Sequence, residues 1–260
     1  MYFNKTFFFL SVSLLLLAGC FKHQHETTLI TAKHTEPSLS IENGKHELNL
    51  GSTLFINKGF YWRDGYIYIP KMYRKSTPIP LLIWLHGGGG DASDADHMLQ
   101  VADQYNVAIL SLDSRHNTWD GIDSPFGPDV RFIDKALSYV FERVAIDSTR
   151  IALGGLSDGG TYALALGRSN GEIFTHLVAV SPWRLSPPSD VKGNPHIFIG
   201  HGKRDNVYPI AHTRHFIVPG LKDDGYEVKY LEFNGPHWAT VPAVREILKW
   251  LVDTPSNSTN

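Results

Sequence analysis

Arg150-Ile-Ala-Leu153 runs directly into Gly154-Gly155-Leu156-Ser157-Asp158-Gly159-Gly160, and the fold turns on how this stretch is read. The short apolar run has the length of a buried strand, while Thr161 to Arg168 behind it reads as a helix. Ser157 therefore stands between a strand and a helix, inside a G-x-S-x-G pattern. Its flanking glycines suit a strained strand-to-helix turn, where side chains would collide with neighbouring backbone and the hydroxyl is pushed out of the sheet edge. The string is weak as a bare pattern; the strand before it and the helix after it give it weight.

Working outward, the same alternation continues in both directions. Tyr66–Ile69 and Leu81–Leu85 read as strands, Ser93–Tyr105 as a helix, Val107–Leu112 as a strand and Asp129–Val144 as a helix with a 3.6-residue apolar period. Downstream come strands at His176–Val180, Ile197–Ile199 and Glu227–Phe233, and helices at Ile210–Leu221 and Val241–Val252. This βα alternation predicts the α/β class, with a mostly parallel, doubly wound sheet flanked by helices. No repeat of 20 to 50 residues and no Pro/Gly/Ser linker divides the body, so residues 39–253 are expected to form one domain.

In open α/β sheets function gathers at the carboxyl ends of strands. Leu85-His86-Gly87-Gly88-Gly89-Gly90 ends one strand, and its glycines free backbone N–H groups to point into a site. An acyl-transfer intermediate needs two such donors about 2.7–3.1 Å from its oxyanion. The Asp158 N–H of the elbow and the Gly88 N–H are the expected pair, with Gly87 or Gly89 the next choices. A phosphate cradle is the rival reading, but no Lys-Ser/Thr follows and Asp91, Asp94 and Asp96 would repel phosphate.

Two further strand ends carry His201-Gly-Lys-Arg-Asp205-Asn-Val-Tyr-Pro209 and Gly235-Pro-His237-Trp238. Ser157, Asp205 and His237 follow the chain order of a Ser-Asp-His triad, in which the histidine relays a proton and the aspartate orients its imidazole. Asp190, Asp223 and Asp224 compete for the acid position, but the first precedes its strand and the others end a helix. His86 and His201 each precede a glycine at a strand end and are expected to serve structural hydrogen bonds. Trp119, Trp183 and Trp238 are candidate substrate walls, with Phe126 beside Trp119.

These motifs together resemble the α/β-hydrolase superfamily, specifically small secreted serine esterases similar to phospholipase/carboxylesterase and polyhydroxybutyrate-depolymerase-like proteins. The resemblance covers roughly residues 60 to 252 and implies hydrolysis of carboxylic esters through an acyl-enzyme, without metal or cofactor. One departure is Asp158, where these esterases often carry Gln or Met; its carboxylate is expected to disfavour anionic substrates. The stretch after Val180 is short, leaving no room for a large lid domain, so an open site suited to short- or medium-chain or polysaccharide-linked esters is expected. A serine peptidase of the same fold and a non-catalytic, lipid-anchored binding protein are the alternatives.

The composition is that of an ordinary globular chain, long enough for one large domain. The 260 residues are 42% hydrophobic and 19% charged with a formal charge of −2, and 24 Lys+Arg against 26 Asp+Glu leave no basic excess for nucleic acid. The single cysteine, Cys20, excludes an intrachain disulfide and Cys-rich metal sites. His212 and His215 share a helix face, but no third metal ligand is placed by spacing.

Met1 to Gly19 reads as a signal peptide, with an apolar run too short to span a bilayer. Leu17-Ala18-Gly19-Cys20 resembles the bacterial lipoprotein box, which implies cleavage before Cys20 and its lipidation. The expected organisation is a signal peptide at 1–19, a lipidated cysteine and flexible tether at 20–38, the domain at 39–253 and a polar tail at 254–260. Phe21 after the cysteine favours outer-membrane delivery in a Gram-negative envelope.

Overall fold

The computed structural model describes residues 29–254 apart from 51–52, 57–58, 63, 123, 187 and 189, with 53–56 and 59–62 described as backbone alone. The signal-peptide and lipidation expectations, Cys20 included, lie outside the described residues. Among the described residues ten strands and their helices follow in chain order. β1 (Gly44–Glu47), β2 (Thr53–Ile56), β3 (Gly59–Trp62), β4 (Gly65–Ile69) and β5 (Ile79–Leu85) lead to a 3-10 turn (Ala92–Met98) and α1 (Leu99–Tyr105). β6 (Ala108–Leu112), α2 (Pro128–Phe141), β7 (Ile146–Leu156), α3 (Asp158–Arg168), β8 (His176–Val180) and β9 (His196–Gly202) come next. α4 (Ile210–His212) passes through a π-helical turn (Thr213–Ile217) into α5 (Val218–Asp223), followed by β10 (Val228–Phe233) and α6 (Val241–Asp253).

Eight strands form one sheet in the order β1-β4-β6-β5-β7-β8-β9-β10, parallel from β6 to β10 and antiparallel at the β1, β4 edge; β2 and β3 pair separately. The continuous apolar run of β5 is explained by burial on both faces. Leu81, Ile83 and Leu85 point into the core under α2, α3 and α5, while Leu82 and Trp84 point into the core under α1 and α6. The expected doubly wound sheet is present, and the stretch between β8 and β9 carries no lid helix among its described residues.

Three local expectations need correction. Residues 29–34 do not form a tether: Ile30 and Ala32 are buried, and Asp134 of α2 accepts bonds from Thr31 N (2.6 Å) and Ala32 N (2.7 Å). The helix expected from Ser93 begins instead as the 3-10 turn, whose buried residues Ala92, Ala95 and Met98 recur every three positions. Thr254 is not free tail, because its carbonyl accepts a bond from His176 Nε2 at 2.8 Å.

Candidate active site

Ser157 occupies the turn between β7 and α3 with φ 56° and ψ −116°, a conformation that L residues adopt only under constraint. The constraint is visible on both sides: Ser157 N–H donates to Val180 O of β8 at 2.8 Å, and Ser157 O accepts from Thr161 N at 2.9 Å. A Cβ on Gly159 would overlap the Leu85 carbonyl oxygen, so glycine there lets α3 start against the end of β5.

His237, on the loop between β10 and α6, places Nδ1 2.7 Å from Asp205 Oδ2, and the Asp205 side chain is fully buried. Burial alone would raise that carboxyl; donors from Tyr208 N (2.9 Å), Val207 N (2.8 Å) and His237 instead hold it below the usual carboxylate range. His201 Nε2 lies 3.1 Å from both Asp205 Oδ2 and Tyr208 O, two groups that only accept, so Nε2 must carry the proton. Its Nδ1 then accepts from the Thr213 hydroxyl at 2.9 Å, and burial keeps the ring's pKa low. A second histidine thus fixes Asp205, in the structural role expected of it.

The glycine loop after β5 resolves its own donors. Gly89 N–H donates to Asn117 O at 2.7 Å and Gly90 N–H to Gly87 O at 3.0 Å. Gly89 N–H is thereby committed to Asn117 O, while among the described residues no protein acceptor is bonded to Gly88 N–H. His86 underpins the loop: Nε2 accepts from Ser114 N at 3.0 Å, so Nδ1 carries the proton and donates to Gly87 O at 2.6 Å. The neighbouring loop of Asn117 and Thr118 is held by buried carboxylates, with Arg115 N and Asp120 N on Asp129 at 2.6 and 2.7 Å and Tyr162 OH on Asp120 at 2.8 Å.

Ser157 and His237 open into one cleft of about 350 Å³, lined also by Gly87, Gly88, Gly90, Asp94, Leu156, Asp158, Val207 and Tyr208. The three tryptophans do not line it. Trp119 is buried, donates Nε1–H to His86 O at 2.9 Å and packs between His86 and Tyr162, so it is a core pillar and not a wall. Trp183 stands behind Tyr208, ring centroids 6.4 Å apart, and Trp238 is exposed outside the lining. Phe126 packs on Tyr162. The walls are Leu156, Val207 and Tyr208, which sequence reasoning missed although Tyr208 sits inside the quoted His201 to Pro209 motif.

No protein-family model matches the chain. It is similar to the putative esterase NocK of Nocardia uniformis subsp. tsuyamanensis, 26% identical over 122 residues, 44% of this chain and 36% of that protein. It also resembles the pyrethroid hydrolase Ces2a of Mus musculus, 27% identical over 148 residues, 48% of this chain and 25% of that protein. The similarity therefore spans about a third of the length of the first relative and a quarter of the second. Among solved structures, esterase PE8 superposes with a TM-score of 0.59 at 18% identity, covering 74% of this chain and 99% of that one. An S-formylglutathione hydrolase from Staphylococcus aureus superposes at 0.56 with 15% identity, covering 72% and 91%. The fold is that of the α/β-hydrolases.

Proposed function

We propose that this chain is a serine hydrolase cleaving carboxylic esters, with Ser157 as nucleophile, His237 as general base and acid, and Asp205 as the group that orients it. The observation that carries the reading is a serine held at a strained elbow in the same cleft as a histidine whose Nδ1 is bonded to a buried, acceptor-only carboxylate. With Nδ1–H committed to Asp205, Nε2 is the nitrogen left to take the Ser157 proton as Oγ attacks the ester carbon. The carbonyl oxygen gains negative charge, which the Gly88 and Asp158 N–H groups stabilise. Collapse expels the alcohol, protonated by His237, and water repeats the sequence in reverse to release the acid and free Ser157. No step calls for a metal or cofactor.

The small cleft and the absence of a lid helix among the described residues support short- or medium-chain esters, including acyl groups carried on polysaccharide. The test labels purified residues 21–260 with a fluorophosphonate and locates the added mass. Stoichiometric labelling at Ser157, lost in His237→Ala, is expected; a folded chain that does not label would remove the hydrolase reading. The Leu17 to Cys20 box further supports a proposal of envelope attachment through a lipid on Cys20, outer-membrane in a Gram-negative cell. Metabolic incorporation of an alkynyl fatty acid that persists in Cys20→Ala would overturn it.

A further inference from the structure

Asp158 contributes its N–H to the proposed oxyanion site, but its side chain is unexplained by that role. Oδ2 accepts from the Thr118 hydroxyl at 2.7 Å, and a Cβ on Gly88 would come within 2.6 Å of the same oxygen. The carboxylate thus lies over the Gly88 backbone, beside the place where negative charge develops during ester attack. At the first turn of α3 the helix dipole favours a negative group there. Among the described residues no lysine or arginine lines the cleft, and Asp94 is a second carboxylate in it. Holding Thr118 requires an acceptor, not a charge, and asparagine would serve. For a neutral ester, a full negative charge beside the oxyanion opposes the transition state.

The charge has a purpose if the substrate supplies the opposite one. We propose that Asp158 is a specificity residue selecting esters that carry an ammonium group a few ångströms from the scissile carbonyl, over neutral and anionic esters. The proposal rests on the hydrolase reading and names its substrate class. Tyr208 supports it: its ring lines the same cleft, near enough that, after burial, the Asp158 charge is the next cause raising its phenol pKa. An ammonium group between that ring and the carboxylate would gain from both. The adjoining cavity of about 730 Å³, which shares Gly90 with the cleft, adds Glu47 and Asp91, while its Lys45 is paired with Asp96 at 2.8 Å. Carboxylates thus line both cavities.

Two isosteric pairs distinguish which half of the ester carries the cation. Acetylcholine against 3,3-dimethylbutyl acetate places it in the alcohol; betaine ethyl ester against ethyl 3,3-dimethylbutanoate places it in the acyl group. In the full chain, kcat/KM is measured for all four with wild type and Asp158→Asn, at low and high ionic strength. The cationic-to-neutral ratio is expected to fall at least about tenfold in Asp158→Asn for the pair that meets the carboxylate, an effect between that of a close charge pair in bulk water and that of one at protein-surface dielectric. Intrinsic reactivity cancels in the comparison with wild type. The neutral ester of that pair should be turned over faster by the variant, because charge beside the oxyanion is gone. In wild type the same ratio should fall with added salt, which tests the proposal even if the variant misfolds. Equal changes for both members of each pair, with no salt effect on the wild-type ratio, would mean that Asp158 only braces Thr118 and would overturn the proposal while leaving the hydrolase intact. Wild type that labels with the fluorophosphonate but turns over none of the four esters would overturn this proposal and leave the hydrolase reading standing, whereas neither turnover nor labelling would remove both.

Discussion

Gly159 has no side chain because the Leu85 carbonyl already fills the space where one would go. Gly159→Ala must separate β5 from α3, backbone against backbone, and is expected to destabilise the chain by about 2–4 kcal/mol in urea unfolding. Asp205 poses a different question, since its neighbours donate to it from Val207, Tyr208 and His237. Asp205→Asn keeps the size of that side chain, yet its amide would face donors with a donor of its own and reverse the His237 tautomer. Ester turnover is expected to fall about 10³–10⁴-fold in kcat with folding retained, read by steady-state kinetics beside circular dichroism. At this scale the motifs were legible where backbone geometry dictates residue type: a glycine at a close approach, or a polar group just after a strand. Trp119 was not legible, because an aromatic in a loop carries no sign of the direction it faces. Its indole N–H turns inward to His86 O, a partner 33 positions away in the chain.

The segment 29–34 is held by contacts that no local pattern announces. Asp134 accepts Thr31 N, Ala32 N and the Thr31 hydroxyl (2.8 Å), Asn170 accepts Ile30 N at 2.7 Å, and His34 Nε2 bonds Ile146 O at 2.7 Å. Asp134→Ala should therefore release the segment at a cost of about 1–3 kcal/mol and open residues 29–38 to limited proteolysis while ester turnover stays near wild type. Unchanged cleavage kinetics would show that the apolar contacts of Ile30 and Ala32 suffice. Polar composition suggested a tether here, and composition is blind to a carboxylate about a hundred residues downstream. Periodicity failed in a similar way at Ala92–Met98, where a spacing of three marks a 3-10 turn and was absorbed into the helix that follows. β1, Gly-Lys-His-Glu, has no apolar alternation, because it is an antiparallel edge strand recruited by β4. The central strands were readable because burial on both faces demands an unbroken apolar run.

Across the whole molecule the α/β alternation was enough to predict the sheet, since parallel strands need long crossovers, which are usually helices, and here the β8-to-β9 crossover alone has no helix among the described residues. The response of that sheet to pH depends on two buried groups at opposite ends of it. His176, bonded to Thr254 O and packed on Trp250, is pushed down to about 4 by burial. Between about 4 and its ordinary 6.5 the unfolded chain binds a proton that the folded chain does not, so its contribution is present above 6.5 and lost as pH falls. Asp129, bonded by Arg115 N and Asp120 N, is raised to about 6 by burial and then by the Asp120 charge. Here the folded chain binds the extra proton, so the contribution is present below the ordinary 3.8 and lost as pH rises through 6. Each shift amounts to about 3 kcal/mol, and from pH 6 to 4 the two oppose each other. The wild-type urea midpoint should then vary little over that window. His176→Gln, which keeps a donor for Thr254 O, should gain stability on acidification from pH 6 to 4, and Asp129→Asn should lose it. Parallel curves for wild type and both variants would mean that neither group changes protonation on unfolding.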